Sequence, residues 1–307
     1  MDLILSSISQ GLLWSILAMG VYLTYRILDV ADLTVEGSFP LGAAVASAMI
    51  VADIPAWKAT LMAFVAGSLA GLVTGFLHAK LKIPALLAGI VTMTGLYSIN
   101  LRILGQANLT LLNSETLVDK IQAFGVDKTT AVLIMGSIAI LIVIILLHLF
   151  FNTEIGVAIR ATGDNLEMSE ANGINVNLTK ILGFMIGNGL IALSGALLAQ
   201  NNGYADVNMG IGAIVIGLAS VIIGETFFSN LTFAKRLITL VIGSIIYRLL
   251  ILAALETQIN PQDLKLISAV FLAIALALPT ARNQWNYKRM KRRNKEGELN
   301  NDRSIKN

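Results

Sequence analysis

Nine stretches of this chain are apolar over a length that crosses a bilayer, and few folds are open to a chain with that pattern. They fall at about 3–25, 34–51, 57–78, 84–104, 130–151, 178–200, 209–228, 237–255 and 264–280. A membrane helix needs about 20 mainly apolar residues. Composition agrees: 56% of residues are hydrophobic and only 13% charged, against about 25% charged in a soluble domain, and the mean hydropathy is +0.76. The predicted fold is an all-α polytopic membrane protein of about nine transmembrane helices. The second run is short and opens on polar residues, so it reads as broken or partly re-entrant.

Lys and Arg in the short loops set the orientation. Arg26 follows the first run, Lys80 and Lys82 the third, Arg160 and Lys180 lie in the central loop, and Lys235 and Arg236 follow the seventh. The intervening loops are mostly acidic or neutral, with Lys58, Lys120 and Lys128 as exceptions. That alternation predicts the N-terminus outside and the C-terminus in the cytoplasm. Residues 1–281 form the membrane domain. Residues 282–307 form a basic tail, with Lys288, Arg289, Lys291, Arg292 and Arg293, that reads as a disordered cytoplasmic flank rather than a nucleic-acid site. No positive segment precedes the first apolar run, so no cleaved leader is expected.

Two marks bear on packing. Gly67, Gly71 and Gly75 lie four apart, as do Gly183 and Gly187. Small residues at that spacing let helix backbones approach closely in lipid. Ala31-Asp32 with the small-residue run that follows is echoed by Ala205-Asp206 and Gly210 to Ala213. This echo suggests an inverted repeat of helices 1–4 and 6–9, a transporter architecture; chance competes with it.

The chain carries no cysteine, no phosphate-cradling glycine loop and no paired histidines at zinc-site spacing. His78 and His148 stand alone near run ends, and no metal site is expected. Asp29, Asp32 and Glu36 cluster between the first two runs, and Glu225 ends the seventh. They read more readily as wet loop charges than as a proton relay. Glu36, Asn100 and Asn188 are the candidates for a solute pathway; Asn188, between Gly187 and Gly189, equally fits a hydrogen bond to a neighbouring helix. No nucleophile, base and orienting group stand at a catalytic spacing. The chain therefore reads as a bundle without its own energy source. It is either a passive carrier or channel, or a subunit that borrows work from a partner.

The longest central polar stretch runs over residues 152–180. Asp164 and Glu167 fit a capping box, and Gly173 supplies a C-terminal stop. A helix over about 164–172 is predicted, too short to be stable alone. It is either an ordinary loop or a docking element.

This stretch resembles the cytoplasmic coupling segment of bacterial ABC-importer permeases of the branched-chain amino acid, ribose and nucleoside type. Gly156, Arg160, Ala161, Gly163, Asn165, Ala171, Gly173 and Ile174 carry that pattern. Asp32-Leu33-Thr34-Val35-Glu36-Gly37-Ser38 resembles the turn between the first spans of the same permeases, in the form found beside tryptophan/tyrosine-type substrate-binding lipoproteins. The resemblance covers about residues 5–280. It implies a bacterial cytoplasmic membrane location, a second permease subunit, an ATPase dimer and an extracytoplasmic binding lipoprotein. It also implies no cofactor in this chain, with ATP-Mg held by the partner ATPase, and uptake of an aromatic or hydrophobic amino acid. Gly156 to Gly173, including Asp164 and Glu167, would then serve ATPase coupling.

Overall fold

In the computed structural model, residues 2–227, 232–256, 266–274 and 277 are described. The chain is built of helices: α1 (Asp2–Tyr22), continued by a π-helical turn Leu23–Ile27, α2 (Val35–Val51), α3 (Ala56–Ala79) and α4 (Ala85–Leu104). Strand β1 (Asn108–Thr110), α5 (Leu117–Gln122), α6 (Lys128–Phe151), α7 (Glu154–Asp164) and α8 (Leu166–Ala171) follow. Then come α9 (Val176–Asn202), β2 (Tyr204–Asp206), α10 (Ala213–Phe227) and α11 (Phe233–Glu256). Among the described residues six helices are long and apolar enough to cross a membrane, and Val35–Val51 and Ala213–Thr226 are shorter apolar helices. Eight of the predicted runs coincide with these. The ninth is helical over 266–274, and the rest of it, like the basic tail, lies outside the described residues.

Helix α9 is the hub. Its middle residues, Gly187 to Leu190, are buried, and three helices close on it through glycines. On α3, a Cβ on Gly67 would overlap the Asn188 carbonyl, one on Gly71 the Phe184 carbonyl, and one on Gly75 would lie 2.9 Å from Ile181 Cα. Rising numbers on α3 meet falling numbers on α9, so the two run antiparallel. Gly183 and Gly187 face elsewhere, toward Leu28 and toward Thr24 and Gly20 of the first span. Helix α2 runs parallel to α9, with Ser38 against Asn188 and Gly42 against Ala192.

Ser38, in the first turn of α2, bonds Asn188 near the midpoint of α9. The α2 helix therefore begins at mid-depth, and its 17 residues cover only part of the bilayer at about 1.5 Å each. The second run, expected to be broken or partly re-entrant, is one short helix whose first turn lies beside the middle of α9. Pro40 lies inside α2 and cannot donate to the Glu36 carbonyl, and Gly210 packs against that carbonyl. Helix α10 begins at the same level: the Gly212 N–H donates to Glu36 Oε1 at 2.9 Å. Two short helices thus start face to face inside the bundle.

At the other level, α4 and α9 both end in left-handed glycines, Gly105 and Gly203. The chain beyond them pairs antiparallel, Asn108 opposite Asp206 and Thr110 opposite Tyr204. A capping box of Thr116 and Asp119 starts the short helix α5.

Candidate functional site

The central polar stretch holds two helices rather than one. Thr153 caps α7, its hydroxyl accepting from the Gly156 N–H at 3.3 Å. The α7 helix buries Gly156, Ile159 and Thr162, three residues apart on one face, and leaves Ile155 and Val157 exposed. Asn165 is extended, at φ −155° and ψ 107°, and forms a one-residue joint. Its N–H closes α7 on the Ala161 carbonyl at 3.0 Å, and its side-chain oxygen caps α8 by accepting from the Met168 N–H at 2.9 Å. The predicted capping box of Asp164 and Glu167 is corrected: Asp164 is the last helical residue of α7, so it cannot adopt the extended backbone of a cap. The far end matches the expected stop. Gly173 stands at φ +79°, its N–H donates to Glu170, and the Ile174 N–H reaches back to Ser169, a Schellman closure.

Helix α7 lies across the ends of four long apolar helices. A Cβ on Gly156 would overlap the Phe150 carbonyl at the end of α6. Arg160 Nη2 donates to the Phe151 carbonyl at 2.7 Å, and its guanidinium sits over the Phe233 ring at the start of α11, 5.7 Å from the centroid. The Thr162 and Thr179 hydroxyls bond at 2.9 Å, tying α7 to the first turn of α9. A Cβ on Gly163 would overlap the Ile27 carbonyl at the end of the first span. Gly156, Arg160 and Gly163 therefore seat the loop on its own bundle. Helix α8 is different. Only Ser169 is buried there, while Leu166, at 41% exposure, and Met168, at 65%, project outward. Glu167 and Ala171 are exposed beside them.

Glu36, Asn100 and Asn188 converge on one place, the first turn of α2. Glu36 accepts from Gly212, Asn100 Nδ2 donates to the Gly37 carbonyl at 3.1 Å, and Asn188 Oδ1 accepts from the Ser38 hydroxyl at 2.7 Å. Asn188 Nδ2 also donates to Asp32 Oδ2 at 2.7 Å, and Asp32 Oδ1 accepts from the Thr34 N–H. Asp32 is 2% exposed, so its reading as a wet loop charge is overturned. An Asp-x-Thr turn ahead of a helix was the available signal. Glu225, by contrast, pairs with Arg26 at 3.1 Å near the surface. Gln200 went unnoticed in the sequence: it is buried in α9, donates to the Thr60 hydroxyl and accepts from the Leu117 N–H. No periodicity marks such a residue.

Residues 3–278 match the family described as branched-chain amino acid transport system, permease component. The chain is 44% identical to a tyrosine transport system permease protein of Clostridioides difficile, over 89% of this chain and 90% of that one. A ribose import permease protein of Haemophilus influenzae is 27% identical over 90% and 82% of the two chains. Among solved structures, PsaBC from Streptococcus pneumoniae in complex with Fab superposes with a TM-score of 0.50 at 14% identity, covering 89% of each chain; it is a likeness of fold.

Proposed function

The chain belongs to the family of branched-chain amino acid transport system permease components, and from that premise we propose that it forms the solute pathway of an ATP-binding-cassette importer and takes its energy from a separate ATPase. Its family members are multi-pass membrane transport subunits rather than enzymes. In the proposed assembly two copies of this chain stand side by side. An ATPase dimer holding ATP-Mg docks on the cytoplasmic face, and an extracytoplasmic lipoprotein delivers the solute. Nine crossings, with the N-terminus outside, complete the reading.

One observation carries it. Helix α7 bears on α6, α9, α11 and the first span at once, through Arg160, Thr162 and Gly163, while α8 hangs beyond it with Leu166 and Met168 uncovered. A six-residue helix cannot hold its shape alone, so α8 needs a groove in a partner. A push received there reaches four spans through one packed element. The solute is an aromatic amino acid, a choice supported by the 44% identity to a tyrosine transport permease.

The meeting of α2 and α10 inside the bundle supports an inverted repeat, and a stand-alone carrier would use the same geometry. Reconstitution in liposomes separates the two. Tyrosine uptake that needs the ATPase subunit, ATP and the binding protein is expected; uptake by the purified chain alone would overturn the importer reading.

A further inference from the structure

A second polar feature lies beneath the loop. A pocket of about 430 Å³ is lined by Tyr22, Arg26, Ile27, Arg160, Asp164, Phe233 and Arg236. Three of these are arginines drawn from different elements: the turn that ends the first span, α7 and α11. Their donors are only partly engaged. Arg26 gives Nε to Glu225 Oε1 at 3.1 Å and keeps its terminal amino groups. Arg160 gives Nη2 to the Phe151 carbonyl, while its buried Nε has no acceptor among the described residues. Arg236 lies beside the Tyr22 hydroxyl. A guanidinium presents five donors in a fixed fork, and a buried donor without an acceptor destabilises the fold. An anion with several oxygens would satisfy all three forks at once.

The depth of the pocket narrows the choice of anion. The apolar run of the first span ends at Ile27, α6 ends at Phe151 and α11 begins at Phe233. The pocket therefore sits where three membrane helices terminate, at headgroup level. Basic pockets between helices at this level suit lipid phosphates. Asp164 on the same lining accepts hydrogen bonds, and a glycerol headgroup offers hydroxyls to it.

We propose that this pocket binds the phosphate of an anionic phospholipid headgroup, with Arg26, Arg160 and Arg236 as donors, and that the bound lipid fastens α7 to the first span and α11. Free inorganic phosphate has the same chemistry and is the other source to be tested. The test uses the full chain in phosphatidylcholine nanodiscs, titrated with phosphatidylglycerol or with inorganic phosphate in solution, and reads the thermal midpoint. Phosphatidylglycerol raises the midpoint saturably in the wild-type chain. Arg26→Gln and Arg236→Gln each weaken that response about tenfold in apparent affinity, the scale of one charge-assisted contact. Arg236→Lys, which keeps the charge and loses the fork, falls between. Lys128→Gln, at the opposite end of α6, changes nothing. An arginine-dependent response to inorganic phosphate but not to phosphatidylglycerol would keep the phosphate site and overturn the lipid as its source. Equal responses from all variants would overturn the site itself. So would loss of ATPase binding by Arg236→Gln with an unchanged lipid response, which would assign the arginines to a protein partner.

Discussion

Asn165 and Asp164 are neighbours with different work. The side chain of Asn165 satisfies the Met168 N–H; Asp164 satisfies no backbone donor of α8 and lines the arginine pocket. Asn165→Ala is expected to cost about 1 kcal/mol in α8, the usual worth of an N-cap, and to speed amide exchange at Met168, whereas Asp164→Ala leaves that amide unchanged. The D-x-x-E spacing in the sequence pointed to the wrong cap because Glu154–Asp164 folds as the 11-residue α7, with Asp164 in its last turn. Asn188 is a second case. Its amide serves Ser38 and Asp32 together, and both are buried. Asn188→Ala would orphan two groups at about 1–3 kcal/mol each, so a marked fall in thermal midpoint and in yield of folded protein is expected. From the sequence Asn188 fitted a solute pathway or a hydrogen bond to a neighbouring helix; the partners it takes are set by where α2 begins, and no local pattern encodes that.

At the scale of the helix, apolar runs were legible because lipid demands them along the whole length of a span. What each helix meets was not. Gly67, Gly71 and Gly75 and the pair Gly183 and Gly187 look alike in sequence, yet the first set receives α9 and the second receives the first span. A small-residue stripe announces a close approach without naming the helix that approaches. The glycines can be ranked by what a methyl group would strike. At Gly71 it meets the Phe184 carbonyl, and at Gly95 nothing lies within 4 Å. Gly71→Ala is expected to lower the thermal midpoint by separating α3 from α9, a strain of about 1–3 kcal/mol. Gly95→Ala is expected to leave it unchanged or slightly raised, since alanine suits a helix better. The mid-depth starts of α2 and α10 were half legible: the shortness and polar opening of the second run signalled one, while the Glu36–Gly212 bond that sets both at one level joins residues 176 apart.

For the whole molecule the proposed importer reading asks how a force at the surface would reach the spans, and the geometry places the bundle-seated residues on α7 and the outward-facing ones on α8. The sequence pattern does not separate the two sets, since Gly156, Arg160, Gly163 and Ala171 fall within one motif. The structure divides that motif into residues that hold α7 to the bundle and residues of α8 that face outward. Leu166 and Met168 carry the outward apolar surface of α8, and neither helps to seat α7. The double variant Leu166→Asp with Met168→Asp is therefore expected to insert and melt like the wild-type chain, yet to fail to retain the ATPase on co-purification and to lose uptake. Gly163→Ala acts at the other step. Its methyl group meets the Ile27 carbonyl, lifting α7 from the first span while α8 keeps its face. The expected result is an ATPase that still binds and hydrolyses ATP while uptake falls by about tenfold or more, the effect of roughly 1.4 kcal/mol or above on a transport barrier. Coupling of this kind needs a packed element that both ends can bias, and α7, joined to α8 at Asn165 and packed on the spans, would be that element in the proposed assembly. If the double variant still retained the ATPase, the docking face would lie elsewhere; if Gly163→Ala transported normally, the path through the first span would be refuted while docking at α8 stood.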